Sequence, residues 1–129
     1  YAGVINIVTK PSSGNNVIVN GEGGDFNSYS GGVSSNFGNE NFRNLIQVNH
    51  SESDGYRYNT DYKVNNVYYQ NQYKINNGNV KFQAGFQEKK FGANGFYASP
   101  TYTEQYEEIQ MAIISVGLEK KISEKQFIK

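Results

Sequence analysis

Alternation with a period of two runs through nearly the whole chain, and no stretch sustains a helical period, which commits the chain to β-strands. From Val80 to Lys89 the residues Val80, Phe82, Ala84 and Phe86 fall on one side, with Lys81, Gln83, Gly85, Gln87 and Lys89 on the other. Before it, Val67, Tyr69, Tyr73 and Ile75 stand opposite Asn66, Gln70, Gln72 and Lys74, with Asn71 as one polar intruder on the apolar side. Between these runs lies Asn76-Asn77-Gly78-Asn79, whose Asn-Gly pair tolerates positive φ and predicts a tight hairpin.

Weaker contrast marks the earlier strands. Phe42, Ile46, Val48 and His50 alternate with Arg43, Gln47 and Asn49, although Leu45 breaks the pattern, and Tyr29, Val33 and Phe37 alternate with Gly32, Ser34 and Asn36. Residues 15–24 read as a first strand. In the late run from Gln105 to Glu119, Ile109, Met111 and Ile113 hold odd positions and Ile114, Val116 and Leu118 even ones, so a β-bulge near Ile113-Ile114 is expected. A seventh strand is expected to begin near Lys125. The fold class is therefore all-β, an antiparallel up-and-down meander of about six to seven long strands.

Composition explains how so polar a chain folds. Apolar residues make up 36% of the 129 residues and mean hydropathy is -0.71, too little for a large conventional core, yet aromatics reach 15%, which argues against disorder. A strand with one wet face needs only half its residues apolar. The 12 basic and 12 acidic side chains cancel, and no basic cluster larger than a Lys-Lys pair marks a nucleic-acid interface. No cysteine is present, so there is neither a disulfide framework nor a thiolate metal site. The longest apolar run, Met111-Ala112-Ile113-Ile114, is far short of the roughly 20 residues of a membrane-spanning helix, a criterion that does not reach transmembrane β-barrels.

Connection lengths alternate as well. Tight turns join Phe37 to Phe42 and Ile75 to Val80, whereas 51–61 and 91–104 are long, tyrosine-rich and punctuated by glycine; on that side only 25–28 is short. Strands at 63–75 and 105–119 match or exceed the roughly 9 to 11 residues needed to cross a bilayer at a tilt. Long strands with loops at one end and turns at the other are the pattern of an outer-membrane barrel. Tyr62, Tyr68, Tyr69, Tyr73, Phe91 and Tyr106 would supply its aromatic girdles, although aromatics favour strands in any case.

The opening Ala2-Gly3-Val4-Ile5-Asn6-Ile7-Val8-Thr9-Lys10-Pro11 closely resembles the strand that closes the plug domain of TonB-dependent outer-membrane receptors. Asp54-Gly55-Tyr56-Arg57-Tyr58-Asn59-Thr60-Asp61-Tyr62 and Phe91-Gly92-Ala93-Asn94-Gly95-Phe96-Tyr97 resemble the second and third extracellular loops of the vitamin B12 and siderophore branch, in its Bacteroidetes form. The resemblance implies that residues 1–10 end a plug and residues 11–129 begin a barrel. The family's barrel has about 22 strands, so the chain, already in mid-strand at Tyr1, reads as a segment of a longer protein. It further implies a parent in the bacterial outer membrane that binds a scarce nutrient, a cobalamin or a ferric siderophore, and imports it when TonB pulls on the plug. Partners would be membrane lipid, that ligand, and TonB through a segment this chain lacks. Expressed alone, unpaired edges and an uncovered apolar face would favour self-association. The competing class is a soluble, secreted β-sheet binding module, such as a carbohydrate-binding or adhesin domain, with Val80, Phe82, Ala84 and Phe86 inside a closed core.

Tyr56, Arg57, Tyr58, Asn59, Phe96, Tyr97 and Tyr102 suit stacking and hydrogen bonding to a bulky planar or amphipathic ligand, or else pack the loops together. Glu52, Asp54, Asn59 and Asp61 beside Gly55 are oxygen ligands of the kind Ca²⁺ takes, in a spacing unlike an EF-hand; solvated carboxylates are the commoner fate of such a loop. Some B12 receptors of the family order this loop with calcium. No catalytic residue and no other cofactor is indicated. His50, the one histidine, neighbours Ser51, Ser53 and Asp54, but adjacent strand residues point to opposite faces and no nucleophile motif is present. Glu107 and Glu108 diverge for the same reason, which does not suit paired acid and base work.

Overall fold

The computed structural model describes residues 14–95, 101–123 and 126–128. The proposed plug strand at residues 1–10 lies outside them. The described chain is all-β: β1 (Asn16–Gly24), β2 (Ser28–Gly38), β3 (Phe42–Ser53), β4 (Tyr62–Ile75), β5 (Gly78–Gly92), β6 (Tyr106–Ser123) and β7 (Gln126–Ile128). They form one seven-stranded antiparallel sheet in sequence order. Length grows along the chain from 9 residues in β1 to 18 in β6, and β7 is a stub of 3.

The expected hairpin forms at 76–77, where Asn77 takes a φ of 63°. Gly78 follows as the first residue of β5, and a Cβ there would run into the carbonyl oxygen of Glu119 on β6. The β2–β3 turn is closed by the Asn39 side chain, whose Oδ1 accepts from the N–H groups of Asn41 (2.9 Å) and Phe42 (3.0 Å), the local bonding that makes asparagine a turn residue. Gly38 precedes it with a φ of 133°, where a side chain would strike the carbonyl of Phe42.

Register sorts the side chains into two faces, because residues directly opposite in an antiparallel pair share a face. Val33, Val48, Val67, Phe86 and Ala112 form one row across β2 to β6, and Ser35, Ile46, Tyr69, Ala84 and Ile114 the next. Val17 and Val19 extend these rows onto β1. Towards the tight turns come Phe37 on β2, then Phe42, Tyr73, Val80 and Leu118 on β3 to β6. The opposite face carries Ser34, Gln47, Asn66, Gln83, Gln87 and similar residues. Among the described residues no second layer covers the apolar face. Val19 is 73% and Ile114 74% exposed, and the only buried hydrophobic residues among those described are Leu45 and Ala93.

Two expectations are corrected by the structure. The β5–β6 ladder runs without interruption through Ile113 and Ile114, so there is no bulge there; the register shift lies between Lys121 and Ser123. Ile109, Met111 and Ile113 therefore stand on the polar face, with Ile113 against Gly85, the open position next to the Tyr68 ring. Secondly, the loop expected from Ser51 begins at 54, and the one expected from Phe91 begins at 93, so Glu52 and Phe91 are strand residues. Leu45 does break the alternation, as expected: it is buried on the polar face between the cross-strand neighbours Asn36 and Gln70, themselves buried.

Asn71, the polar intruder, has a partner. Its row-mate across the ladder is Asn44, 1% exposed, whose Oδ1 accepts from Asn71 Nδ2 (2.9 Å) and from the Tyr69 hydroxyl (2.8 Å). Asn44 Nδ2 donates to the carbonyl of Phe37 at 3.3 Å, and Asn71 Nδ2 also reaches that of Arg43 at 3.2 Å. A buried amide left unpaired costs about 1–3 kcal/mol, and this network avoids that penalty inside an otherwise apolar face.

Candidate functional site

The connections at 25–27 and 54–61 and the described parts of the third, 93–95 and 101–105, lie at one end of the sheet. Each contains residues of positive φ: Phe26 and Asn27 in the first, Gly55 and Asn59 in the second, Gly95 in the third. The first loop is tied to the second by two donors onto the Phe26 carbonyl, the N–H of Asp54 (3.0 Å) and the hydroxyl of Ser53 (3.2 Å). The second loop folds on itself through Thr60, whose hydroxyl donates to Arg57 O (2.8 Å) and accepts from the Arg57 N–H (3.3 Å).

Asn59 joins the second loop to the third. Its Nδ2 donates to the carbonyls of Thr103 and Gln105, both at 2.6 Å, and its own carbonyl accepts from the N–H of Asn94 at 3.2 Å. Asn94 Nδ2 bonds in turn to Tyr58 O. Gly92 passes so close to Asn59 that no side chain fits there. The donors of Asn59 are thus engaged in tethering loops rather than presented to a ligand. Around it, Ala93 is buried and its N–H donates to Gln105 O at 2.8 Å. Gln105 Oε1 is buried with no hydrogen-bond partner, and it is the one such side-chain atom among the described residues.

Tyr56, Tyr58 and Tyr102 stand exposed over this floor. The Arg57 guanidinium lies 5.2 Å from the centre of the Tyr56 ring, within cation–π range. Tyr58 donates its hydroxyl to Glu104 Oε2 at 2.7 Å, a second bridge between the loops, and this bond raises the Tyr58 pKa above its ordinary value because ionised Tyr58 would have no proton to give. Phe96 and Tyr97 lie outside the described residues. Four of the seven expected ligand residues, Tyr56, Arg57, Tyr58 and Tyr102, therefore share an exposed, aromatic, hydrogen-bonding surface, and Asn59 holds it together.

The carboxylates expected to bind a cation separate. Glu52 is on the apolar side of β3, where the ammonium of Lys63 lies 3.0 Å away and His50 Nε2 3.2 Å away. Asp54 is exposed on its loop, and the carbonyl of Asp61 accepts from the N–H of Gly92 at 2.9 Å. Among the described residues no group of three or more acidic or histidine side chains is placed to hold a metal ion.

Glu52 and His50 belong to a polar rim that closes the apolar face on the loop side. His50 Nδ1 lies 2.7 Å from Asn65 Oδ1, Asn65 Nδ2 donates to Glu88 Oε2 at 3.2 Å, and Gln110 Nε2 reaches Glu88 Oε1 at 3.4 Å, one bonded row across four strands. Beyond it, Lys90 pairs with Glu108 at 2.9 Å. Sequence reading missed this rim and the partners Glu104, Thr103 and Asn94. Its signal is a switch from apolar to polar at one depth on every strand after the same valine-bearing row, visible once register aligns the strands. No protein-family model, curated protein or solved structure matches the chain.

Proposed function

We propose that this chain forms part of the wall of an outer-membrane TonB-dependent receptor, whose loop end takes part in capturing a nutrient of the cobalamin or ferric siderophore class. The observation that carries this reading is the apolar face. It is continuous across β1 to β6, no second layer covers it among the described residues, and its amides Asn44 and Asn71 are bonded internally, as hydrocarbon surroundings demand. From Ile75 to Val67 it extends about 27 Å along β4, or about 20 Å once tilted as barrel strands are, close to the height of the apolar band of outer-membrane barrels. The polar rim on one side and the tight turns on the other bound it. The sequence resemblance supplies the family and the nutrient class, and the exposed tyrosines with Arg57 supply a surface suited to such a ligand.

The absence of cysteine makes a direct test clean. Single cysteines at Val48, Phe86 and Ile114, and at Gln47, Gln87 and Ser115, carry spin labels in the full chain reconstituted with lipid. Oxygen, concentrated in lipid, should relax the first set, and a water-soluble nickel complex the second. If the first set is shielded from both agents, the face is packed against protein and the soluble-module reading takes its place.

A further inference from the structure

His50 faces an acceptor with each of its ring nitrogens. Asn65 gives its Nδ2 to Glu88 at 3.2 Å, so the atom it turns to His50 Nδ1, at 2.7 Å, is the amide oxygen, which can only accept. His50 Nε2 lies 3.2 Å from Glu52 Oε2, and an ionised carboxylate likewise only accepts. A neutral imidazole carries one N–H and satisfies one of these partners; an imidazolium satisfies both. The charges of the rim agree with this. Its two rows on the apolar face, one through His50, Asn65, Glu88 and Gln110 and the other through Tyr29, Glu52, Lys63, Lys90 and Glu108, hold three carboxylates and two ammonium groups. One further positive charge makes the rim neutral where it borders the apolar rows, and His50 is the residue there that can supply it.

We infer that His50 is a proton-operated latch at the base of the loop that carries Tyr56, Arg57 and Tyr58. Glu52 stands just before that loop on β3 and Lys63 just after it on β4. The base is tied twice across these strands, His50 to Asn65 and Lys63 to Glu52, the second at 3.0 Å. Each strand that faces the ring contributes. From β2 comes the Tyr29 ring, 5.7 Å away, whose hydroxyl bonds to Glu52; from β4 come Lys63 and Asn65; behind Asn65 stands Glu88 of β5, with Lys90 at 3.6 Å and Gln110 of β6 at 3.4 Å. With both protons the ring holds Glu52 and Asn65 together. With one, a nitrogen lone pair is set against an oxygen, and the tie on that side opens. The His50 and Glu52 side chains are 33% and 30% exposed, so the proton exchanges with solvent without unfolding. Histidine changes charge between about pH 5 and 8, so the latch is closed at the acid end of that range and open at the alkaline end. The inference deepens the reading of this end as the capturing end, by adding its regulation, and rests on it.

Because the chain has one histidine, the test needs no assignment. The full chain, ¹⁵N-labelled at His50 and reconstituted with lipid, is followed by NMR from about pH 5 to 8, together with hydrogen-exchange protection factors for residues 54–61. At the acid end both ring nitrogens should carry protons, and loop protection should be roughly fivefold higher than at the alkaline end, the worth of one hydrogen bond. His50→Arg, a permanent cation, should keep the acid-end protection across the range, and His50→Gln should show the alkaline-end value throughout. Loop protection in the unaltered chain that does not follow the ring protonation overturns the latch, as does a pH dependence that persists in His50→Gln or an arginine variant no better protected than the glutamine one. Any of these, with the labels at Val48, Phe86 and Ile114 still relaxed by oxygen, leaves the membrane wall standing. Labels shielded from both agents overturn the wall and, with it, the role given to the latch.

Discussion

The two faces of the sheet each contain residues of the wrong polarity, and they treat them differently. On the apolar face, Asn44 and Asn71 bond to each other, to Tyr69 and to backbone carbonyls. On the polar face, Ile109, Met111 and Ile113 stand more than two-fifths exposed with no comparable arrangement. The asymmetry follows from cost. A polar group away from water needs a partner or forfeits its hydration, whereas an apolar side chain in water is ordinary on any protein surface.

The sharpest way to break this comparison is to place the same charge on each face. Ile46→Lys should destabilise the lipid-reconstituted chain by about 2–4 kcal/mol, and Met111→Lys by no more than about 0.5 kcal/mol, read as unfolding midpoints in urea. Equal costs would abolish the distinction between the faces.

A smaller effect tests the amide network. Asn44→Leu should cost about 1–3 kcal/mol by orphaning Asn71 and the Tyr69 hydroxyl. The pair Asn44→Leu with Asn71→Leu should cost less than the two single changes added together, the coupling expected of directly bonded groups. Simple additivity in this cycle would mean that the two amides are satisfied independently.

Gly85→Ala sharpens the comparison from the polar side. The new methyl would come within 3.0 Å of Ile113 Cγ2, the end of a movable side chain, so a change of about 0.5 kcal/mol or less is expected. A much larger loss would show that the aliphatics of the polar face are packed as tightly as the amides of the other.

The loops provide a control outside both faces. Because the folded-state pKa of Tyr58 is raised by its bond to Glu104, the tether is fully present below the ordinary phenol value near 10 and is lost as pH rises through the higher folded value. Hydrogen-exchange protection factors, which remove the intrinsic base catalysis, should fall in loop residues 54–61 and 101–105 in that alkaline window. The Tyr58→Phe variant should show the lower protection already at neutral pH, with strand protection factors unaltered in both cases.

Most of the architecture is legible in the sequence because period two is local. The strands, the turn at 76–77 and the separation of long from short connections all follow from residues a few positions apart. What was not legible depends on register. The phase change at Ile113-Ile114 reads equally well as a bulge or as tolerated aliphatics, and only the neighbouring strand decides. Asn71 reads as an error until Asn44, far away in sequence, is set beside it. The loop tyrosines were found from residue type, while the role of Asn59 was not, since a tether and a ligand donor look alike until their acceptors are known.

The sequential order of the sheet governs how the fold is gained and lost. Among the described residues every strand contacts only the strands before and after it in the chain, so no pairing between them waits for a distant segment to arrive. Each hairpin can nucleate by itself and recruit the next strand across a single connection, as in repeat arrays with nearest-neighbour coupling. Unfolding inherits the same grammar: the sheet can be peeled from an end, strand by strand, with the β4–β5 hairpin at its most persistent interior.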